Sequence, residues 1–130
     1  MKKNRYIEYA KKIAKKSDYG KFRHGAVLVK GSSIRNISCN KHRHCSFGTR
    51  FRKADRGIAT LHAELGAILG MDRTTTTGAT IYVARINKEG KARNSKPCPM
   101  CQSAMEHVGI RRVVYTDADG DVVSMRLWKE

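Results

Sequence analysis

The period of the apolar positions changes several times along the chain, and each change marks an element. Residues 4–16 place Tyr6, Ile7, Ala10, Ile13 and Ala14 at helical spacing, with Lys11, Lys12, Lys15 and Lys16 over much of the remaining surface. This predicts an amphipathic helix that ends near Ser17-Asp18-Tyr19-Gly20. Ala26-Val27-Leu28-Val29 reads as a short apolar strand, Lys30-Gly31-Ser32-Ser33 as a turn, and residues 34–39 as a second strand completing a hairpin. Residues 40–57 are polar, basic and unpatterned, which predicts a loop. Residues 58–69 carry Leu61, Leu65, Ile68 and Leu69 on one face with Gly70 as a stop, which predicts a helix with position 62 and position 64 in its first turn. A turn-rich linker at 72–78 precedes a buried strand, Ile81-Tyr82-Val83-Ala84, and a polar loop at 87–96. A helix over 98–108 ends at Gly109, Val113-Val114-Tyr115 forms a strand, and Asp117-Ala118-Asp119-Gly120 turns the chain into a last strand over 122–127.

The order α-β-β-α-β-α-β-β predicts an α/β chain, a three-layer α-β-α sandwich about one mixed five-stranded sheet. At 130 residues it is read as a single domain spanning 1–130, too short for two cores. The segment between the last two strands is too short for a helical crossover, so these strands are expected to be antiparallel neighbours.

Charge narrows the partner more than the fold. Lys plus Arg number 27 against 11 Asp plus Glu, a formal charge of +16. An excess of this size points to an anionic partner, a phosphorylated nucleotide or a polynucleotide such as RNA or single-stranded DNA, rather than a membrane surface. A solubility feature or a bias of composition is the bland alternative. The start of the chain leads into an amphipathic segment and not an apolar run, and no window has the apolar length of a membrane span. A reducing cytoplasm, where thiolates are available to hold metal, is the expected setting for Cys39, Cys45, Cys98 and Cys101.

The chemistry concentrates in His62-Ala63-Glu64 and Pro97-Cys98-Pro99-Met100-Cys101. Catalytic zinc typically takes three protein ligands and leaves the fourth position for water. His62, Cys98 and Cys101 supply three, and Cys-x-x-Cys at a helix start lets both sulfurs reach one ion. A helix N-terminus also favours thiolate over thiol, and Pro97 suits the beginning of such a helix. Glu64, two residues beyond His62, is placed to work as the catalytic acid and base without ligating. Cys-x-x-Cys alone fits a redox pair or half a zinc ribbon, but a redox pair has no need of His-Ala-Glu and a ribbon needs a second Cys-x-x-Cys. His-x-Glu…Pro-Cys-x-x-Cys is the signature of zinc nucleobase deaminases, which replace an amino group on a base with oxygen.

From 25 to 115 the chain resembles the cytidine and deoxycytidylate deaminase superfamily. Gly25-Ala26-Val27-Leu28-Val29 resembles the family's first strand. His62-Ala63-Glu64 with Ala67-Ile68 resembles its first motif helix, and Pro97 to Cys101 through Gly109-Ile110-Arg111-Arg112-Val113 its second. The resemblance implies a cytidine deaminase-like fold, one catalytic Zn2+, homo-oligomeric assembly, and substrate contacts at Asn40, Ala63 and Pro97. Asn40 resembles the asparagine that hydrogen-bonds the sugar in many members. Histidine at position 62, where members acting on free cytidine typically carry cysteine, resembles the deoxycytidylate, guanine, tRNA-adenosine and polynucleotide branches. Lys96 departs from the glutamate that usually precedes Pro-Cys in tRNA adenosine deaminases. The short connection between the last two strands resembles the free-nucleoside branch instead.

The loop over 41–56 holds Lys41, Arg43, Arg50, Arg52, Lys53 and Arg56 with Phe47 and Phe51 between them. Arg43, Phe47 and Phe51 are therefore candidates for phosphate contact and base stacking, with a surface loop anchored by two phenylalanines as the alternative. A second, structural zinc at Cys39, His42, His44 and Cys45 is weighed and set below buried cysteine with exposed histidine, because the spacing matches no usual finger or ribbon. His24 and His107 lack companions and read as structural. The expected activity is zinc-dependent hydrolytic deamination of a cytosine nucleotide of the deoxycytidylate type. The alternatives are a deaminase acting on cytosine or adenine within RNA or single-stranded DNA, and a non-catalytic zinc-containing nucleic-acid-binding module.

Overall fold

The structure, a computed structural model, describes residues 4–16, 23–39, 41–44, 60–61, 63–68, 71–87 and 89–127. Helix α1 (Arg5–Ala14) starts where Asn4 caps it, its side-chain Oδ1 accepting from the backbone N–H of Tyr6 at 3.0 Å and of Ile7 at 3.1 Å. Ile7, Ala10, Ile13 and Ala14 form its buried stripe. Strand β1 (Arg23–Lys30) and strand β2 (Ser33–Cys39) form the expected hairpin. Its tip is Gly31-Ser32, both with positive φ (59° and 63°), as a two-residue turn compatible with strand twist requires.

Strands β3 (Lys41–His44) and β4 (Thr60–Leu61) pair in a separate two-stranded sheet. This corrects two expectations. Part of the stretch read as loop is a strand, and the helix read over 58–69 begins only at Ala63. Backbone pairing of Lys41 with Leu61 and His44 with Thr60 takes up the residues that the apolar period alone assigned to the helix. Helix α2 (Ala63–Ile68) follows, then α3 (Arg73–Thr76) in the segment read as a linker. Asp72 caps α3, accepting from the backbone N–H and the hydroxyl of Thr75 and from the hydroxyl of Thr74. These bonds, that to the Thr75 hydroxyl first, hold its carboxyl below the ordinary aspartate value.

Strand β5 (Thr80–Ile86), the short β6 (Ala92–Arg93), helix α4 (Pro99–His107) and strands β7 (Arg112–Thr116) and β8 (Val122–Arg126) complete the chain. The main sheet has the order β2-β1-β5-β7-β8, with β6 paired to β5 off that path, so it is six-stranded where five strands were expected. β6 adds only two register pairs, too few residues for an alternating pattern to show in sequence. Among the described residues only β5 and β7 pair in parallel, joined through α4, and β7 and β8 are antiparallel neighbours as expected.

Alternation along β1 and β5 divides the core. Ala26, Leu28, Ile81 and Val83 pack with Ala67 and Ile68 of α2 and Cys101, Ala104 and Met105 of α4. Val27, Val29 and Ala84 pack with Ala10 of α1, flanked by Tyr6, Tyr9 and Tyr82. The sheet thus lies between α1 on one side and α2 with α4 on the other, which is why residues 26–29 form an unbroken apolar run. Among the described residues no helix is long and apolar enough to cross a membrane.

Candidate active site

Cys98 is the N-cap of α4, with φ −69° and ψ 164°, and its side chain does not cap the helix. Pro99 occupies the first helical position, where a missing N–H costs nothing. The helix therefore starts one residue later than expected, and Pro99 rather than Pro97 opens it. Cys101 lies in the first turn and is fully buried, in the cluster that includes Ala26 and Leu28, while Cys98 is half-buried against the same cluster. Both are thiols. Two sulfurs three residues apart at the positive end of a helix are a donor set suited to a divalent soft metal held as thiolates.

The segment that delivers Cys98 has no regular structure, yet it is tightly held. Ser95 and Thr116 are almost fully buried polar residues, at 1% and 0% exposure. The Ser95 hydroxyl donates to the Val83 carbonyl at 2.9 Å and accepts from the Thr116 N–H at 2.7 Å, and the Ser95 N–H donates to the Thr116 carbonyl at 2.7 Å. The Thr116 hydroxyl donates to the Arg93 carbonyl at 2.6 Å. On the other side of the cysteine pair, Gln102 Nε2 donates to the Pro97 carbonyl at 2.8 Å. Buried polar groups satisfied this fully fix the backbone on both sides of Cys98. Nothing in the sequence pattern singles out Ser95, Thr116 or Gln102, since a serine in a polar loop, a threonine at a strand end and a glutamine on a helix are all ordinary.

The far end of α4 is closed by Gly109 at φ 86°, with its N–H donating to the Glu106 carbonyl and that of Ile110 to the Met105 carbonyl. This two-bond arrangement ends the helix sharply and starts β7.

Glu64 lies on α2, which packs against α4 as well as on β1 and β2. The Asn36 amide ties β2 to the end of that helix, donating to the Ala67 carbonyl at 3.0 Å. The structure thus brings together the helix that carries Glu64 and the helix that begins at the two cysteines. Ala63 is the first residue of α2, and Pro97 is buried beside Cys98. His62, Asn40, Cys45, Phe47 and Phe51 lie outside the described residues, and Arg43 lies on β3 with His42 and His44. Cys39 is buried at the end of β2. His107 closes the last turn of α4, 3.3 Å from the Arg73 guanidinium.

Among the described residues one group of acids is close enough to share a cation, Asp117, Asp119 and Asp121, with oxygens within 4.8 Å of one another. The turn itself accounts for it. Asp117 Oδ1 accepts from the backbone N–H of Asp119 and Asp121 and so folds the β7–β8 connection.

A family model described as the cytidine and deoxycytidylate deaminase zinc-binding region matches residues 1–117. The chain belongs to this deaminase family. A deoxycytidylate deaminase of Mycobacterium phage D29 is 30% identical over 125 residues, covering 85% of this chain and 90% of its own length. A cytidine deaminase from Burkholderia pseudomallei shares the fold with a TM-score of 0.66 at 24% identity, over 98% of this chain and 94% of that one. A dCMP deaminase from the cyanophage S-TIM5, in apo form, does so with a TM-score of 0.62 at 20% identity, over 88% and 81%. The cytidine deaminase-like fold expected from the motifs is the fold observed.

Proposed function

We propose that the chain is a zinc-dependent hydrolytic deaminase that converts a cytosine nucleotide of the deoxycytidylate type to its uracil form with release of ammonia. The observation that carries this reading is the cysteine pair at the start of α4, on a helix packed against the one bearing Glu64. The residues suit the metal: two thiols at a helix N-terminus, with an imidazole at His62 immediately before α2 as the third donor. Zinc, when bound, lowers the pKa of a water molecule to roughly 7. Cys98 and Cys101 would hold the ion, and the Ser95 and Gln102 hydrogen bonds keep the Cys98 backbone from shifting. Glu64 takes one proton from the attacking water and gives it to the ring nitrogen, which keeps it, as oxygen adds to the ring carbon. Glu64 then carries the remaining hydroxyl proton to the amino group, the carbon–nitrogen bond breaks as the carbonyl forms, and ammonia leaves. The deoxycytidylate preference is supported by the phage D29 relative and by histidine at position 62.

The test is ammonia release from a panel of cytosine, adenine and guanine substrates as free bases, nucleosides, monophosphates and oligonucleotides. Deoxycytidylate should be turned over fastest. Faster release from an oligonucleotide would overturn the free-nucleotide reading. Glu64→Gln should keep stoichiometric zinc and lose about 10²–10⁴-fold in turnover; unchanged turnover would remove Glu64 from the mechanism.

A further inference from the structure

The two faces of the sheet are unequally covered. On the face that meets α1, the helix lies over β1 and β5. Tyr82 is on this face and is the register partner of Val114, so alternation puts Arg112 there on β7, with Ser124 and Arg126 opposite on β8. Arg112, Ser124 and Arg126 are exposed. Arg112 and Arg126 are direct register partners. Like charges placed opposite each other weaken a strand pair, whereas an anionic oxygen cluster set between two guanidiniums turns that repulsion into charge-assisted hydrogen bonding.

The cationic row continues toward α1. Burial, and then the neighbouring Tyr6, holds the Tyr82 hydroxyl above its ordinary value, while the positive charges of Arg112 and Arg5 oppose that rise. The Arg5 guanidinium stands 4.8 Å from the centroid of the Tyr6 ring and donates to the Tyr6 hydroxyl at 2.8 Å. The Tyr6 and Tyr82 rings are 4.9 Å apart. Beyond Arg5 an open groove of about 390 Å³ is lined by Arg5, Tyr6, Tyr9, Ser32 and Ile34. Lys12, Lys15 and Lys16 are exposed along the same helix and just past it, and its one acid, Glu8, is bound to Lys11 at 2.8 Å. The other acids of the described residues lie in turns, at a helix cap, or on α2 and α4 on the opposite side of the sheet.

We propose that this face binds single-stranded nucleic acid, with Arg112 and Arg126 gripping backbone phosphate and the tyrosine-lined groove beside Arg5 accepting an unstacked base. A basic track interleaved with aromatic rings is the physical requirement for that ligand. The surface is distinct from the candidate active site, because Cys101 packs on the opposite side of the sheet with Ala26, Leu28, Ile81 and Val83. It holds whether or not the deoxycytidylate reading does.

The experiment is fluorescence anisotropy of a labelled oligothymidylate of about 20 nucleotides with the full chain, titrated over a range of salt concentrations. The parent should bind, with affinity falling as salt rises. Arg112→Gln combined with Arg126→Gln should weaken binding about tenfold or more and lower the salt slope by about two, with a melting temperature no lower than the parent's. Arg5→Gln, away from the strand pair, should weaken binding by a smaller factor, and it decides the question should the double variant fail to fold. Binding unaltered by these substitutions, or absent from the parent at low salt, overturns the proposal. Equal affinity for a duplex of the same length, or a preference for anionic lipid vesicles, overturns the assignment of the occupant.

Discussion

Gly25 shows how closely single atoms set this structure. A Cβ built there would lie 2.1 Å from the Ala10 carbonyl oxygen and 2.6 Å from the Ala14 nitrogen, so β1 and the backbone of α1 meet only because position 25 has no side chain. Gly25→Ala should therefore displace α1 and destabilise the protein by at least about 1–3 kcal/mol, as overpacking of a closed interior does, measurable as a lower midpoint in urea unfolding. Gly31 makes the opposite case. Its surroundings are open, and its positive φ alone calls for glycine, so substitution there acts only on the hairpin turn. The motif residues Glu64, Cys98 and Cys101 are legible in sequence because their chemistry is rare at that spacing. Ser95 and Thr116 are not, since their importance comes from burial, which a side chain name does not reveal.

At the scale of elements, the stretch before α4 depends on the Ser95 hydroxyl. Ser95→Ala would leave the Thr116 N–H and the Val83 carbonyl without this partner inside the protein. The expected loss is about 1–3 kcal/mol in unfolding free energy and, if the proposed zinc site is right, faster loss of the metal to a chelator, because Cys98 follows three residues later. Ser95→Thr, which keeps the hydroxyl, should recover both if the methyl is accommodated. The α3 cap gives a pH-dependent expectation. The Asp72 carboxyl is held below its ordinary value, so its contribution is fully present above the ordinary aspartate range near about 4 and is lost as pH falls through the depressed value. Asp72→Ala should lower the melting temperature at neutral pH, and the difference from the parent should vanish in strong acid. Several elements that the sequence pattern missed are of this kind. β4, β6 and α3 have two, two and four residues, too short for a period to be counted.

For the whole molecule, a formal charge of +16 on 130 residues means that the folded chain repels itself. Raising monovalent salt from about 0.01 M to about 0.15 M shortens the screening length from about 30 Å to about 8 Å, and the melting temperature should rise with it. A fall, or no change, would show that the opposite charges present are placed well enough to cancel the excess. Like charge also sits locally where the fold brings it, as at Arg112 and Arg126, which stand at opposite ends of the β7–β8 hairpin's sequence and face each other across its two strands.

The amino-acid sequence by itself determined the layered α/β class, the hairpin at Gly31-Ser32, the antiparallel closing strands and the spacing of the two motifs. Each of these is written in a local period, a turn residue or a fixed spacing. Only the tertiary structure decided which helices meet: that the one bearing Glu64 packs on the one begun by Cys98, that Ser95 finds Thr116, and that two exposed arginines face each other on one side of the sheet. Those pairings join residues distant in the chain, and they are selected by the burial of both sheet faces at once, which no local window of sequence contains.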